Sequence, residues 1–114
     1  MGNSNKDHKA HIHLMLDAFK KVLDFTHDVS YEIFLKDSKT QSAVIMQMEV
    51  IGQLVKKLPL DIKKDIDLPW KKMTGMRDMI AHDYFGLDLM TIWNTVIDGI
   101  PDAQIKIKKY LDEK

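Results

Sequence analysis

The chain has 114 residues, 45% of them hydrophobic and 30% charged, with 17 basic and 17 acidic side chains and no cysteine. That length and apolar content predict one domain over 1–114 with its own core, and they exclude a disordered or fibrous chain. The lack of cysteine excludes disulfides, thiol chemistry and cysteine-ligated zinc.

Apolar runs such as Ala43 to Met46 fall far short of the ~20 residues that a membrane helix needs, so no membrane association is expected. The opening MGNSNKDHK has no apolar signal core, and Lys6 stands where a myristoylation pattern has Ser or Thr. A cytoplasmic protein is the expectation. Zero net charge argues against a broad basic face, so any contact with nucleic acid must be local. All the basic residues are lysines except Arg77. An arginine offers the planar fork that grips phosphate or carboxylate with two bonds, which a lysine lacks.

Helical periodicity runs through almost the whole sequence. Ile12, Met15, Leu16, Phe19, Val22 and Leu23 recur at three- and four-residue steps and predict a helix from about Lys6 to His27, bending near Thr26. Ser30 caps a short turn over Tyr31 to Lys36. Ser38 and Gln41 form an S-x-x-Q capping box for a helix that carries Val44, Met48, Ile51, Val55 and Leu58 inward and stops at Pro59. Gly52 interrupts this helix at a cost of ~1 kcal/mol relative to alanine, which a close helix crossing would offset. Glu49 and Gln53 on the same helix are either core polar groups or the wall of a site.

A turn over Asp61 to Ile66 leads to Pro69, which suits the first position of a helix running to about Tyr84 and ended by Gly86. Asp88 caps the last helix, with Leu89, Ile92, Trp93, Val96, Ile97 and Ile100 inward. Pro101 should kink or break it, and Ile107, Tyr110 and Leu111 resume the stripe. No segment alternates as a strand does, and most of the eight methionines read as core filler. The fold class is all-α, an up-and-down bundle of four to five helices.

Two groups of residues invite a chemical reading. His8 and His11 have a spacing that can chelate a metal from one helix, with His13 near them. Only Asp7 and Asp17 are close enough to add ligands, so a solvated N-terminus is preferred and no metal site or cofactor is expected. The segment from Met73 to Gly86 is denser, gathering Arg77, His82 and Tyr84 within eight residues. On an unbroken helix Arg77 and Tyr84 share a face, whereas His82 points roughly 140° away from Arg77. A site using both Arg77 and His82 therefore needs the helix to unwind near His82, or a second subunit to complete it. The plainer alternative pairs Arg77 with Asp78 or Asp83 and leaves His82 and Tyr84 as capping or interface residues. Lys71 and Lys72, one to two turns before Arg77, are candidates to steer a phosphate backbone.

The run Arg77-Asp78-Met79-Ile80-Ala81-His82-Asp83-Tyr84 resembles the R-x-x-x-x-H-x-Y motif of HEPN-domain ribonucleases. Its surroundings resemble the HepT toxins of HepT/MntA toxin–antitoxin pairs. The similarity extends over Lys39 to Val44, Glu49 to Gly52, Lys57 to Pro59, Pro69-Trp70, Gly75-Met76 and Tyr84 to Asp88. Asp78 stands where the family commonly has asparagine and Gln53 where it has glutamate. The acidic Asp78 is expected to weaken the local hold on phosphate.

The resemblance implies a HEPN-like homodimer that cleaves RNA without a metal, with paired motifs facing one cleft. Arg77 and His82 are then the catalytic residues, with Asp78, Lys71 and Lys72 as supporting RNA contacts. It also implies that a partner nucleotidyltransferase antitoxin of the MntA kind adds AMP to Tyr84 and silences the enzyme. The alternative is a non-catalytic helical binding module that dimerises and docks a nucleotidyltransferase, keeping the motif as an interface.

Overall fold

A computed structural model describes residues 3–113, and the side chains of residues 8–113. Every regular element among them is helical. Helix α1 (Asn3–Phe25) buries Ile12, Met15, Phe19 and Val22 from one stripe. It ends at Phe25, where the Thr26 hydroxyl turns back to the Val22 carbonyl at 2.8 Å, and Asp28 takes a positive φ of 59° in the connection. Ser30 caps α2 (Tyr31–Phe34) through a 3.2 Å bond accepted from the Ile33 N–H. This turn is shorter than its sequence suggested, and its Phe34 is fully buried with its ring 5.0 Å from that of Trp93.

Helix α3 (Ser38–Lys57) does not open with the expected Ser38–Gln41 box. Asp37 caps it, accepting from the backbone N–H of Thr40 at 3.1 Å and from the Thr40 hydroxyl. A carboxylate has two oxygens to offer, so it displaces the neighbouring serine as the cap. Gln41 instead donates to the Phe34 carbonyl at 2.8 Å and ties α2 to α3. After Pro59, α4 (Leu60–Asp65) is held to α5 (Trp70–His82) by the Trp70 indole. Its N–H donates to the carbonyls of Lys63 at 2.9 Å and Ile66 at 3.1 Å. Pro69 is the cap of α5 rather than its first residue.

A 3-10 turn (Tyr84–Gly86) leads to α6 (Leu89–Asn94), capped by Asp88 as expected. Pro101 neither breaks nor ends the helix that follows. α6 passes through one wide π turn (Thr95–Gly99) directly into α7 (Ile100–Glu113). Proline lacks the N–H that the carbonyl four residues earlier would need, and the extra residue in the turn takes up that misfit. The same extra residue shifts the stripe, so Ile97 is exposed while Ile92, Val96, Ile100 and Ile107 stay in the core.

Among the described residues the result is four long rods, with α6 and α7 forming one of them, and two short helices, within the four to five expected for the bundle. α1 and α3 form the centre, with α5 against α3 and α7 against α1. Contacts from Lys56 to Asp78 and from Ser42 to Tyr84 show that α3 and α5 run antiparallel. Among the described residues no helix is long and apolar enough to cross a membrane.

Candidate functional site

The α3–α5 crossing is built around Gly52. A Cβ placed on Gly52 would overlap the Arg77 Cβ and lie 2.8 Å from its Cγ, with the Met73 carbonyl at 3.3 Å. Only a hydrogen fits there, so the glycine lets the stem of Arg77 lie across the backbone of α3. The Arg77 side chain is 28% exposed, and its Nε is buried without a hydrogen-bond partner. A guanidinium N–H held dry and unpaired carries a desolvation cost that an incoming acceptor would relieve.

The acid beside it does not meet that need. Asp78 Oδ1 lies 3.6 Å from Arg77 Nη1, close enough for charge attraction but too long for a hydrogen bond. The same oxygen accepts a 2.9 Å bond from Lys56 Nζ on α3. The Lys56 ammonium, with a smaller contribution from the Arg77 guanidinium, holds the Asp78 carboxyl below the usual carboxylate range. Asp83, the other acid that might have paired with Arg77, turns away and accepts from the Gly86 N–H at 3.1 Å.

His82 remains part of α5, and unwinding begins one residue later at Asp83, whose φ and ψ are −149° and 66°. The helical divergence of roughly 140° between Arg77 and His82 therefore stands. Arg77 lies against α3, whereas His82 is exposed. Among the described residues no hydrogen bond or ion pair joins the two side chains.

Tyr84 departs from expectation in another way. Because the helix stops at His82, its seven-residue relation to Arg77 no longer places the two on one helical face. The phenol instead lies along α3, with its oxygen 3.5 Å from the Ser42 hydroxyl, and is 43% exposed. Phe85 packs edge-on against its ring at 5.6 Å and is 99% exposed. A Cβ at Gly86 would run into the Asp83 carboxylate, which would have to swing away from the Gly86 N–H.

Lys71 and Lys72 are exposed on faces of α5 other than that of Arg77. Lys72 edges a mostly apolar cavity of about 680 Å³ lined by Met48, Met73, Met76 and Met79. Several of the methionines thus line an opening as well as fill the core. Gln53 is exposed and Glu49 half-buried on α3. The His8 and His11 rings lie 6.3 Å apart, and among the described residues no group of three or more metal-ligating side chains forms. Lys56 carries no signal in the sequence that sets it apart from the other lysines, and the close crossing expected at Gly52 came without the identity of the residue packed there. Both partners are distant in sequence, so no local pattern announces either.

Comparison with known proteins gives a consistent result. The profile described as "Ribonuclease HepT-like" matches residues 15–110. A Methanocaldococcus jannaschii protein named as an RNase is 42% identical over 109 residues, covering 95% of this chain and 90% of its own. A Thermococcus cleftensis protein named as a probable ribonuclease HepT is 38% identical over 105 residues, covering 91% of this chain and 96% of its own. A Caldanaerobacter subterraneus protein, also named as an RNase, is 31% identical over 110 residues, covering 96% and 98%. No solved structure gives a significant match.

Proposed function

The chain belongs to the HepT-like ribonuclease family, and from that premise we propose that it is a metal-independent endoribonuclease whose active site is shared between two subunits. The observation that carries this reading is the divergence of Arg77 and His82 on one unbroken helix. A two-fold homodimer answers it, because the exposed His82 of one subunit then faces the half-buried Arg77 of the other.

In this mechanism the substrate 2′-hydroxyl attacks the adjacent phosphorus. His82 accepts the hydroxyl proton, the new 2′-O–P bond forms, and the P–O5′ bond breaks. The 5′-oxygen leaves with the proton that His82 took up, so one Arg77 and one His82 complete the reaction. The products are a 2′,3′-cyclic phosphate and a 5′-hydroxyl. An imidazole titrates near neutrality and serves in both directions. Arg77 stays cationic throughout and stabilises charge gathering on the phosphoryl oxygens. Its unpaired Nε supports that role.

The same reading makes the chain the toxin of a toxin–antitoxin pair, acting in the cytoplasm. A partner nucleotidyltransferase of the MntA kind transfers AMP from ATP to the Tyr84 oxygen. The new bond joins that oxygen to the α-phosphorus, pyrophosphate leaves, and the phenolic proton goes to solvent. The exposed ring of Tyr84 supports access by another enzyme. A second, non-catalytic reading draws on the Asp78–Arg77 ion pair, which reduces the positive charge offered to RNA. In it the chain dimerises and docks the nucleotidyltransferase without cutting RNA.

End-group analysis of digested RNA separates the two. The nuclease leaves 2′,3′-cyclic phosphate ends in the presence of EDTA, and His82→Ala abolishes them without changing fold or subunit number. Arg77→Lys keeps the charge but loses the fork, so its rate falls substantially. Cleavage that EDTA stops and a divalent cation restores would overturn the metal-free mechanism.

A further inference from the structure

We propose that Lys56 is a positioning residue of this ribonuclease centre, holding the Asp78 carboxylate so that Arg77 stays open to substrate phosphate. The inference rests on the reading of Arg77 as the phosphate-binding group.

Asp78 follows Arg77 in sequence and cannot leave its vicinity. A carboxylate beside a guanidinium tends toward the two-bond pairing that phosphate also uses, so an unrestrained Asp78 competes with substrate for the same donors. The structure shows the competition resolved toward lysine: 2.9 Å from Asp78 Oδ1 to Lys56 Nζ, against 3.6 Å to Arg77 Nη1. Lys56 lies four residues after Gly52, one turn further along the same side of α3. The crossing that seats the Arg77 stem on Gly52 therefore also brings the ammonium to Asp78.

Charge gives the same answer. Lys56, Asp78 and Arg77 together sum to one positive charge, whereas Arg77 and Asp78 alone sum to zero. Lys56 thus sets the sign of the site that a phosphate meets. It needs no contact with RNA to do so.

The Lys56 and Asp78 side chains are 45% and 49% exposed, so removing the lysine costs little stability and its variants should fold. The test compares wild type, Lys56→Ala, Lys56→Arg and the double variant Lys56→Ala/Asp78→Asn. Each is assayed by its initial cleavage rate on a random-sequence oligoribonucleotide pool. Arg77 is the only arginine, so its guanidinium nitrogens stand alone in an NMR spectrum and report its pairing directly.

Lys56→Ala should lose about fivefold in rate, the equivalent of a strong exposed ion pair. Rotation of the Arg77 guanidinium should slow as Asp78 closes onto it. The double variant should recover both, and Lys56→Arg should keep both. A double variant as slow as Lys56→Ala would mean that Lys56 acts on RNA directly and would overturn the proposal. So would Arg77 resonances that are the same in wild type and Lys56→Ala. If Arg77→Ala cleaves as fast as wild type, the reading of the site itself fails. If Arg77→Ala is inactive while Lys56→Ala is unimpaired, that reading stands and the role of Lys56 falls.

Discussion

Gly52 forms the floor on which the Cβ and Cγ of Arg77 rest, so a residue with no side chain fixes where the chain's only arginine can reach. Gly52→Ala sets two effects against each other. Alanine gains ~1 kcal/mol of helix propensity, while forced overlap at a close crossing costs ~1–3 kcal/mol. The overlap should win because the clash is with backbone and stem atoms. Denaturant midpoints should therefore fall modestly, and RNA cleavage should fall further than the lost stability explains. Gly75 provides the control, since a Cβ there meets nothing within 4 Å. Gly75→Ala should stabilise by ~0.5–1 kcal/mol. Two glycines on crossing helices should thus respond with opposite signs, and a matching response would refute the packing argument.

The cap of α3 gives a second test. Thr40 donates to Asp37 from both its hydroxyl and its backbone N–H, which holds the Asp37 carboxyl below its ordinary range. A depressed folded pKa means that the contribution is present above the unfolded value of ~3.9 and is lost as pH falls through the lowered one. Asp37→Ala should lower the denaturant midpoint at neutral pH and flatten the acid limb of the stability profile. Ser38→Ala should change neither. The opposite pattern would return the cap to Ser38.

How far the sequence could be read follows from the range of each interaction. The stripes of α1, α3 and α7 depend on spacing within a helix, and Ile12, Met15, Phe19, Val44 and Ile107 are buried as their periods require. The caps at Ser30 and Asp88 depend on three neighbouring residues and were equally legible. Asp37 was missed because two adjacent residues could both cap, and the choice turns on which offers more acceptors. Ile97 was misplaced because a constant 100° step cannot foresee the π turn that Pro101 requires. In the candidate site the motif residues were visible, but Gly52 and Lys56 were not tied to Arg77 and Asp78. Those pairings cross two helices and exist only once α3 and α5 are packed.

Subunit sharing makes a quantitative prediction. Arg77→Ala and His82→Ala should each be inactive alone. If each site takes Arg77 from one subunit and His82 from the other, a mixed dimer of the two variants contains one intact site. After unfolding and refolding an equal mixture, half of the dimers are mixed and half of their sites are intact, so activity should return to about a quarter of wild type. Recovery should vanish when both substitutions are placed on the same chain and mixed with either single variant. No recovery in verified mixed dimers would show that the shared site is wrong.

Tyr84 carries the last prediction. Its ring is 43% exposed in a turn just beyond His82, and its hydroxyl makes only a 3.5 Å contact with Ser42. A phenol with a reference pKa of ~10 is a poor base near neutral pH, so the hydroxyl has no evident part in cleavage. On the proposed reading, its value lies in what can be attached to it. With a nucleotidyltransferase partner, ATP and magnesium, the chain should gain mass in whole AMP units and lose RNA cleavage together. The adduct brings bulk and a negative phosphate to a surface that must receive another phosphate, and like charges repel. Tyr84→Phe should stay unmodified and remain active in the same mixture, because it loses only the weak Ser42 contact. Ser42→Ala should still be modified, and at no lower rate, since it frees the hydroxyl. Peptide mapping that located AMP on another residue, or a fully modified chain that cut RNA at the wild-type rate, would remove the switch while leaving the nuclease reading intact.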